Sequence, residues 1–209
     1  MSKISLKQFY HENQNEVGID EAGRGCLFGP VCVAGVIWLQ DDPDKDIILK
    51  DSKKCSEKYR NKCYEYIREN ALSYSIQMID NDEIDKKNIL KCTLEGMHSC
   101  LDEISEKNNI DLILVDGNNF PSYYSKEKDD FLEHKCVIKG DNEYKSIAAA
   151  SILAKTYRDN YIYELVKKHP ELEKYDIQNN KGYGTKNHME AIKKYGVTKW
   201  HRKSFAPCK

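Results

Sequence analysis

Residues 110–115 place the tightest limit on how this chain can fold. Five of these six residues are apolar, which is typical of a strand buried on both faces at the centre of a sheet. A long helix is predicted from about Asp82, before this strand, because apolar residues recur there at alternating spacings of four and three. Its apolar stripe consists of Leu90, Leu94, Met97, Leu101 and Ile104. A buried strand beside an amphipathic helix predicts an α/β or α+β domain.

The other predicted elements also mix strands with helices. Further strands are predicted at residues 17–20, 31–39, 72–78 and 135–139. Further helices are predicted at residues 56–70, with Ser56 as the N-cap, at 144–168, ended by Pro170, and at 185–195, ended by Gly196. The sequence contains no repeat and no linker. We therefore expect a single domain over residues 1–209, in which residues from about 170 to 209 form a basic, helical C-terminal segment.

The composition indicates neither membrane insertion nor secretion. No stretch approaches the ~18 consecutive apolar residues that a membrane-spanning helix requires. Residues 1–16 are polar and lack the apolar core of a signal peptide. The eight cysteines include no C-x-x-C pair, so reduced thiols are expected in place of disulfides or a zinc site. We expect a cytoplasmic protein without membrane contact, and a monomer.

The net charge of −1 conceals a strong asymmetry along the chain. Residues 145–209 carry 14 Lys and Arg against 6 Asp and Glu, a net charge of +8, whereas residues 1–144 carry 19 against 28, a net charge of −9. A basic C-terminal third suits a surface that faces a polyanion. A solvated lysine-rich surface without a ligand is the alternative explanation, and charge alone favours it.

Four acidic residues lie at the ends of predicted strands. Asp20 and Glu21 end the first strand, Asp116 ends the buried strand, and Asp141 ends another short strand. Carboxylates at the carboxyl ends of neighbouring strands can meet in one crevice. There they repel one another unless a cation lies between them, and oxygen ligands favour Mg²⁺ or Mn²⁺. Each acid has a plainer explanation as a turn former beside a glycine.

The residues around these acids form eight motifs in a fixed order. They are residues 18–25 (GIDEAGRG) followed by 29–31 (GPV), 51–54 (DSKK), 115–117 (VDG), 139–141 (KGD), 146–155 (SIAAASILAK), 158–159 (RD), 181–185 (KGYGT) and 201–205 (HRKSF). Together they resemble the type 2 ribonuclease H family, ribonuclease HII, over residues 17–207. One such motif would be weak evidence, but eight in order are hard to reach by chance.

The resemblance implies a ribonuclease H-like fold, in which helices flank a mixed central sheet. It implies that Asp20, Glu21, Asp116 and Asp141 are the catalytic, metal-binding residues, with Asp20 the best candidate to bridge two divalent ions, Mg²⁺ or Mn²⁺. The family cuts RNA in RNA–DNA hybrids, and ribonucleotides embedded in duplex DNA, on the 5′ side of a ribonucleotide. The products carry a 3′-hydroxyl and a 5′-phosphate.

The resemblance also implies how ribose is recognised. Gly23, Arg24 and Gly25 match the loop that contacts the 2′-hydroxyl, the one group that distinguishes RNA from DNA at the cut. Tyr183 matches the tyrosine that stacks on the next sugar and favours a deoxyribose there. In isolation, the glycines fit an ordinary tight turn and Tyr183 fits a half-buried aromatic residue.

Contacts to the phosphate backbone are expected from cationic and hydroxyl side chains. The candidates are Lys53, Ser146, Ser151 and Lys155. Ser151, which lies among alanines, fits equally well a small residue that permits close helix packing. His201 is expected to be a surface residue, with a place lining the site or a role in product release as the alternative. Trp38 and Trp200 are expected to pack in the interior.

Three other classes of protein were weighed. A Rossmann-type dinucleotide enzyme fails because Gly29 falls one place late for G-x-G-x-x-G. A calcium-binding structural protein is not supported, because the sequence contains no EF-hand loop. A non-catalytic duplex nucleic-acid-binding module remains the alternative, and it predicts binding that depends on neither metal nor the 2′-hydroxyl. One departure from the family is the long charged stretch at residues 125–134.

Overall fold

A five-stranded mixed sheet forms the centre of the protein, as seen in a computed structural model that describes residues 6–38 and 47–209. In chain order its strands are β1 (Glu16–Ala22), β2 (Val31–Ile37), β3 (Ser73–Ile79), β4 (Leu112–Asp116) and β7 (His134–Val137). Their order across the sheet is β3-β2-β1-β4-β7. The strands β1, β4 and β7 run parallel, while β2 is antiparallel to both of its neighbours. The parallel part brings the carboxyl ends of three strands to one edge.

Helices cover both faces of this sheet, in line with the predicted α/β fold. They are α1 (Glu57–Asn70), α2 (Asn81–Lys87), α3 (Ile89–Ser105), α4 (Lys145–Lys168), α5 (Ile177–Asn180) and α6 (Lys186–Tyr195). On β4, Leu112 and Leu114 pack with Ile147 of α4, whereas Ile113 and Val115 pack on the side of α3. The prediction that this strand is buried on both faces is therefore confirmed. None of the helices in the described part of the chain is both long and apolar enough to cross a bilayer.

The alanine-rich helix α4 lies directly on the backbone of β1. A Cβ atom at Gly18 of β1 would collide with the main chain at Ser146 and Ile147, so only glycine fits there. Ala148, Ala149 and Ala150 are fully buried in the same contact region. Small residues on both elements thus allow the close approach. This contact fixes the position of every residue that α4 carries toward the edge of the sheet.

Two local features differ from the sequence-based expectations. The helix predicted from about Asp82 is two helices, because Asn88 adopts a left-handed conformation (φ 75°) between them. The Asn88 side chain accepts a hydrogen bond from the Lys91 amide and so begins α3. The charged stretch at 125–134 contains a small hairpin, β5 (Tyr124–Ser125) with β6 (Asp130–Phe131), which alternating hydrophobicity does not reveal. All eight cysteines have free thiols, and Cys136 alone of the eight is exposed.

The C-terminal part combines short helices with irregular segments. From Pro170 onward it contains two α-helices, α5 and α6, and two 3₁₀ turns. Its apolar residues Leu172, Tyr175 and Ile192 pack with Phe28 and Ile162, which belong to the loop after β1 and to α4. The segment therefore contacts the glycine-rich loop that follows β1.

Candidate active site

Two of the predicted acids lie on adjacent parallel strands. The register pairs Ile19 of β1 with Val115 of β4, so Asp20 and Asp116 follow at neighbouring positions. Adjacent strands are separated by about 4.8 Å, which brings these two residues close together. Asp20 is almost fully buried, and its Oδ1 accepts a hydrogen bond from the Glu21 amide at 2.7 Å.

The fourth acid is brought to the same edge by a turn after β7. Lys139 adopts a left-handed conformation (φ 58°), and the 3₁₀ turn Gly140–Asn142 follows. The Gly140 amide donates to Oδ1 of Asp116 at 2.7 Å, and the Asn142 side chain donates to Oδ1 of Asp141 at 2.8 Å. A Cβ at Gly140 would press against the end of the Ile147 side chain, so the turn packs closely on α4. Asp116 and Asp141 are thus joined through this turn.

The acids perturb one another electrostatically. Burial raises the pKa of Asp20 well above its usual value, and the charges of Glu21 and Asp116 raise it further, against a hydrogen bond from Ser151. Burial also raises the pKa of Glu21; Asp116 adds to this, and Arg24 opposes it. For Asp116, burial is again the largest cause of a raised pKa, and the charge of Asp141 contributes. Buried carboxylates that lie this close repel one another when they are ionised. A bound cation relieves that repulsion.

The donor set fits a hard divalent cation. It consists of oxygen atoms alone, and in each of Asp20, Asp116 and Asp141 one oxygen accepts a protein hydrogen bond that orients the carboxyl. Within residues 6–38 and 47–209, however, no three acidic, histidine or cysteine side chains stand ready to hold an ion together. The structure brings the carboxyls to one edge without closing them into a finished metal site.

A pocket of about 200 Å³ opens beside the acids. Its lining consists of Glu21, Ala22, Gly23, Arg24, Gly25, Ser52, Lys53, Ser151, Lys155 and Tyr183. It thus collects every residue expected to bind substrate except Ser146. Glu21 is the one predicted acid in this lining, so it connects the pocket with the carboxylate cluster.

Ser146 lies elsewhere. It is 2% exposed and packs with its backbone against Gly18, and its hydroxyl has no hydrogen-bond partner among the described residues. Ser151, by contrast, bonds to Ser52 through the two hydroxyls at 3.0 Å and also bonds to Asp20. Of the two serines, only Ser151 is placed near the acids.

Two buried arginines bind the backbone of the glycine-rich loop that follows β1. Arg158 of α4 donates to the carbonyls of Phe28, Pro30 and Lys181 at 2.8–2.9 Å. Arg202 donates to the carbonyls of Gly29 and Arg24, both at 2.9 Å. Both guanidinium groups are fully buried. They tie the loop after β1 to the C-terminal segment.

Gly23 and Gly25 are glycines for different reasons. Gly23 has φ 92°, and a Cβ there would collide with the guanidinium of Arg158. Around Gly25 nothing lies within 4 Å of such an atom, so its missing side chain leaves open space toward the pocket. Between them, the exposed Arg24 pairs with Glu21 at 3.3 Å.

Tyr183 lies beside the glycine loop and lines the same pocket. Its backbone forms a bridge with Cys26, and its side chain is 41% exposed toward the pocket. Burial of the hydroxyl end raises the pKa of Tyr183 to about 12. The ammonium of Lys155 lies 5.6 Å from the ring centre and is held by Asp159 at 2.8 Å. An aromatic surface beside a cation is therefore available to a sugar and its phosphate.

Several residues that support the pocket carry no local sequence signal, and one histidine lies elsewhere than expected. Arg158, Asp159 and Arg202 lie in recognised motifs, but no local pattern indicates the carbonyls and cations that they hold. His201 was expected at the surface and is fully buried, because its ring packs against Phe28 with a centroid separation of 5.1 Å. Trp38 is buried as expected, and Trp200 packs partly buried near Phe28.

Solved structures identify the class of this fold. The ribonuclease H2 of Pyrococcus horikoshii superposes with a TM-score of 0.71 at 22% identity, covering 92% of this chain and 94% of the other. Bst-RNase HIII, solved in complex with Mn²⁺, gives a TM-score of 0.73 at 18% identity over 92% of this chain and 67% of the other. The protein therefore has the fold of type 2 and type 3 ribonucleases H, as expected.

Sequence comparison narrows the class to one family. The family model described as Ribonuclease HII matches residues 17–208. A relative named Ribonuclease HII from Christiangramia forsetii is 46% identical over 200 residues, which cover 96% of this chain and 94% of that protein. The chain belongs to the ribonuclease HII family and is an endoribonuclease of the ribonuclease H type.

Proposed function

We propose that this enzyme hydrolyses the phosphodiester on the 5′ side of a ribonucleotide, either in an RNA–DNA hybrid or embedded singly in duplex DNA. The products would carry a 3′-hydroxyl and a 5′-phosphate. The observation that carries the proposal is the shared pocket, in which Glu21 lies with Gly23, Gly25 and Tyr183. An acidic group beside an open backbone turn and an aromatic wall suits recognition of a ribose next to the scissile phosphate.

Asp20, Glu21, Asp116 and Asp141 would hold two divalent ions, Mg²⁺ or Mn²⁺. The pKa values of Asp20, Glu21 and Asp116, which are raised by burial and then by neighbouring carboxylates, support this role, as does the Mn²⁺ complex of the structurally similar Bst-RNase HIII. When bound, such ions supply an activated water and neutralise charge on the leaving oxygen. The chain's own contribution is to aim the carboxyls through hydrogen bonds from Glu21, Gly140 and Asn142.

The 2′-hydroxyl would be read by the backbone of the glycine loop. Gly25 leaves the approach open, and Gly23 allows the tight turn through its positive φ, so that backbone amides of the loop would meet the 2′-hydroxyl. Arg158 and Arg202 hold the loop rigid, which a hydrogen bond to a single hydroxyl requires. Discrimination against DNA then follows because a deoxyribose would leave these polar groups unpaired.

Lys53, Lys155 and Ser151 would bind the flanking phosphates. All three line the pocket, and the two ammonium groups bring positive charge beside the acids. Ser146 is left out of this set because it is buried outside the pocket. Tyr183 would stack on the sugar that follows the ribose and would favour a deoxyribose there.

The test uses a labelled DNA duplex that contains one ribonucleotide, incubated with Mg²⁺, Mn²⁺ or EDTA. We expect one nick 5′ to the ribose with either metal and none with EDTA. Asp20→Asn and Asp116→Asn should abolish the nick while duplex binding remains, and Asp130→Asn on the exposed hairpin should leave it unchanged. The non-catalytic binding module instead requires binding that ignores both the metal and the 2′-hydroxyl. Full activity in Asp20→Asn would defeat the proposed metal site.

A further inference from the structure

Two histidines meet in the interior beneath Tyr183. His188 lies in the first turn of α6, His201 lies in the C-terminal segment, and both are fully buried. Their Nε2 atoms are 3.1 Å apart. Such a direct contact between two imidazoles requires one ring to donate and the other to accept, so at most one of the two Nε2 atoms carries a hydrogen.

The remaining hydrogen bonds assign the tautomer of each ring. Nδ1 of His201 lies 2.9 Å from the Thr198 amide, which can only donate, so this nitrogen is an acceptor and the hydrogen of a neutral His201 is on Nε2. Nδ1 of His188 lies 2.9 Å from the Tyr183 carbonyl, which can only accept, so His188 carries its hydrogen on Nδ1. The contact is therefore a hydrogen bond from His201 to His188. Burial lowers the pKa of both rings, that of His201 to about 4, consistent with two neutral imidazoles.

These bonds form a directional chain that ends at Tyr183. It runs from the Thr198 amide through His201 and His188 to the Tyr183 carbonyl. The start of the chain is itself attached to the glycine loop, because His201 bridges with Phe28 and Arg202 bonds to Arg24. The histidine pair thus connects the loop after β1 with Tyr183, which lines the same pocket.

We propose that His188 and His201 are positioning residues that set the distance and angle of Tyr183 relative to Gly23–Gly25. Through Tyr183 they determine the preference for a ribose that is followed by a deoxyribose. This rests on the proposed function of Tyr183. The physical reason is that each ring has one permitted tautomer, so the chain of bonds allows one placement of the Tyr183 backbone. Neither ring touches the pocket, so neither is a catalytic residue.

The first experiment observes the tautomers directly in the intact wild-type protein. Long-range ¹H–¹⁵N correlation spectra of uniformly labelled protein at neutral pH should show His188 with its hydrogen on Nδ1 and His201 with its hydrogen on Nε2. The reverse assignment, or a charged ring, would overturn the proposal. This measurement does not depend on activity. It therefore tests the chain of hydrogen bonds independently of the proposed function.

The second experiment measures substrate preference. It compares kcat/KM for a DNA duplex containing one ribonucleotide with kcat/KM for a hybrid whose cut strand is all RNA. His188→Leu and His201→Leu should lower this ratio by about tenfold, which corresponds to the coupling expected between residues in contact. His188→Asn and His201→Gln, which each retain the donor atom, should restore it to within about threefold. His98→Leu on α3, outside the pocket, should leave it unchanged.

A purely structural role gives a different result. Partial unfolding would lower both rates equally and leave the ratio constant, and that outcome overturns the proposal. If the pair acts through Tyr183, adding His201→Leu to Tyr183→Ala should not lower the ratio further. If the leucine variants do not fold, the asparagine and glutamine variants together with the spectra decide the question. Failure of the wild type to cut either substrate would instead contradict the proposed function.

Discussion

At the scale of single residues, the packing of Asp20 against other acids carries a cost in stability. Asp20 is 6% exposed and lies beside Glu21 and Asp116, and burial together with their charges raises its pKa. A carboxyl whose pKa is raised in the folded state binds protons more tightly there than in the unfolded chain. The free energy of unfolding therefore falls as the pH rises through the folded pKa and the group ionises. Without metal, Asp20 and its neighbours therefore weaken the fold more when they are ionised than when they are protonated.

Asp20→Asn should consequently stabilise the metal-free protein while abolishing cleavage. Asparagine keeps the oxygen that accepts the Glu21 amide and removes one buried charge. We expect a gain of roughly 1 kcal/mol, a rise in Tm of about 2–4 °C for a chain of this size. Calorimetry in EDTA measures it. Added Mg²⁺ should then raise the Tm of the wild type more than that of the variant. A lower Tm for Asp20→Asn in EDTA would show that repulsion between Asp20 and the neighbouring carboxylates does not control the stability of this site.

Gly23→Ala and Gly25→Ala should separate folding from substrate access. Alanine at Gly23 meets both a positive φ and the Arg158 guanidinium, so we expect a loss of about 1 kcal/mol or more in stability together with loss of cleavage. Alanine at Gly25 meets no atom within 4 Å, so the Tm should be unchanged. Cleavage by Gly25→Ala should still fall about tenfold or more, because a methyl group blocks close approach of the ribose to the backbone. Thermal melts and nicking rates measure both; unchanged nicking by Gly25→Ala would argue against backbone reading of the 2′-hydroxyl.

At the scale of elements, α4 is the part that organises the site. Ser151, Lys155 and Asp159 follow one another at spacings of four, so they share one face of the helix. That face carries the bond to Asp20, the cation beside Tyr183 and the carboxylate that holds this cation. The position of the helix depends in turn on its contact with Gly18 of β1.

Gly18→Ala should therefore impair both folding and cleavage, although Gly18 is remote from the pocket lining. The added methyl would collide with the backbone of α4, which cannot move aside cheaply, so we expect a loss of about 2 kcal/mol or more. Urea unfolding and nicking assays measure the two effects. Ser146→Ala is the matched control at the same contact, and it should leave both stability and activity nearly unchanged. Strong loss of cleavage with unchanged stability in Ser146→Ala would restore Ser146 as a phosphate contact.

At the scale of the whole molecule, the C-terminal segment contributes Tyr183 to the pocket lining. The same segment buries two histidines, a residue type that is usually hydrated. His188 and His201 are held neutral in its interior, facing Tyr175, Tyr183 and, electrostatically, Asp176. A histidine whose folded pKa is lowered contributes stability that is fully present above its unfolded pKa and is lost as the pH falls toward the folded value. For His201 this window extends from about 6.5 down to about 4.

The stability difference between the wild type and His201→Gln should therefore depend on pH. At pH 7.5 the wild type should be the more stable of the two. Between pH 6.5 and 4 the wild type should lose up to about 3 kcal/mol that the variant does not lose, so the difference should shrink or reverse. Urea unfolding at the two ends of this range measures it, with His98→Gln as a control whose difference stays constant. A difference for His201→Gln that ignores pH would contradict a neutral buried ring.

The main elements and the positions of the acids could be predicted from local sequence, because both are encoded locally. A nearly continuous apolar run marked β4, and apolar periodicity marked α3. Asp20, Asp116 and Asp141 each adjoin a strand end or a glycine that the motifs display. Local patterns failed at Asn88, where a single left-handed residue divides a helix, and in the hairpin at Tyr124–Ser125 and Asp130–Phe131, where strands of two residues show no period.

The contacts that hold the pocket together could not be predicted, because they join residues that are far apart along the chain. Arg158 bonds to Pro30 across 128 positions of the chain, and Arg202 bonds to Arg24 across 178. The histidine pair, the burial of Ser146 and the separate reasons for Gly23 and Gly25 likewise exist only when distant segments meet. A residue's neighbours in space set its protonation and its freedom to move. Those neighbours are determined by packing, which hydrophobic periodicity along the chain does not encode.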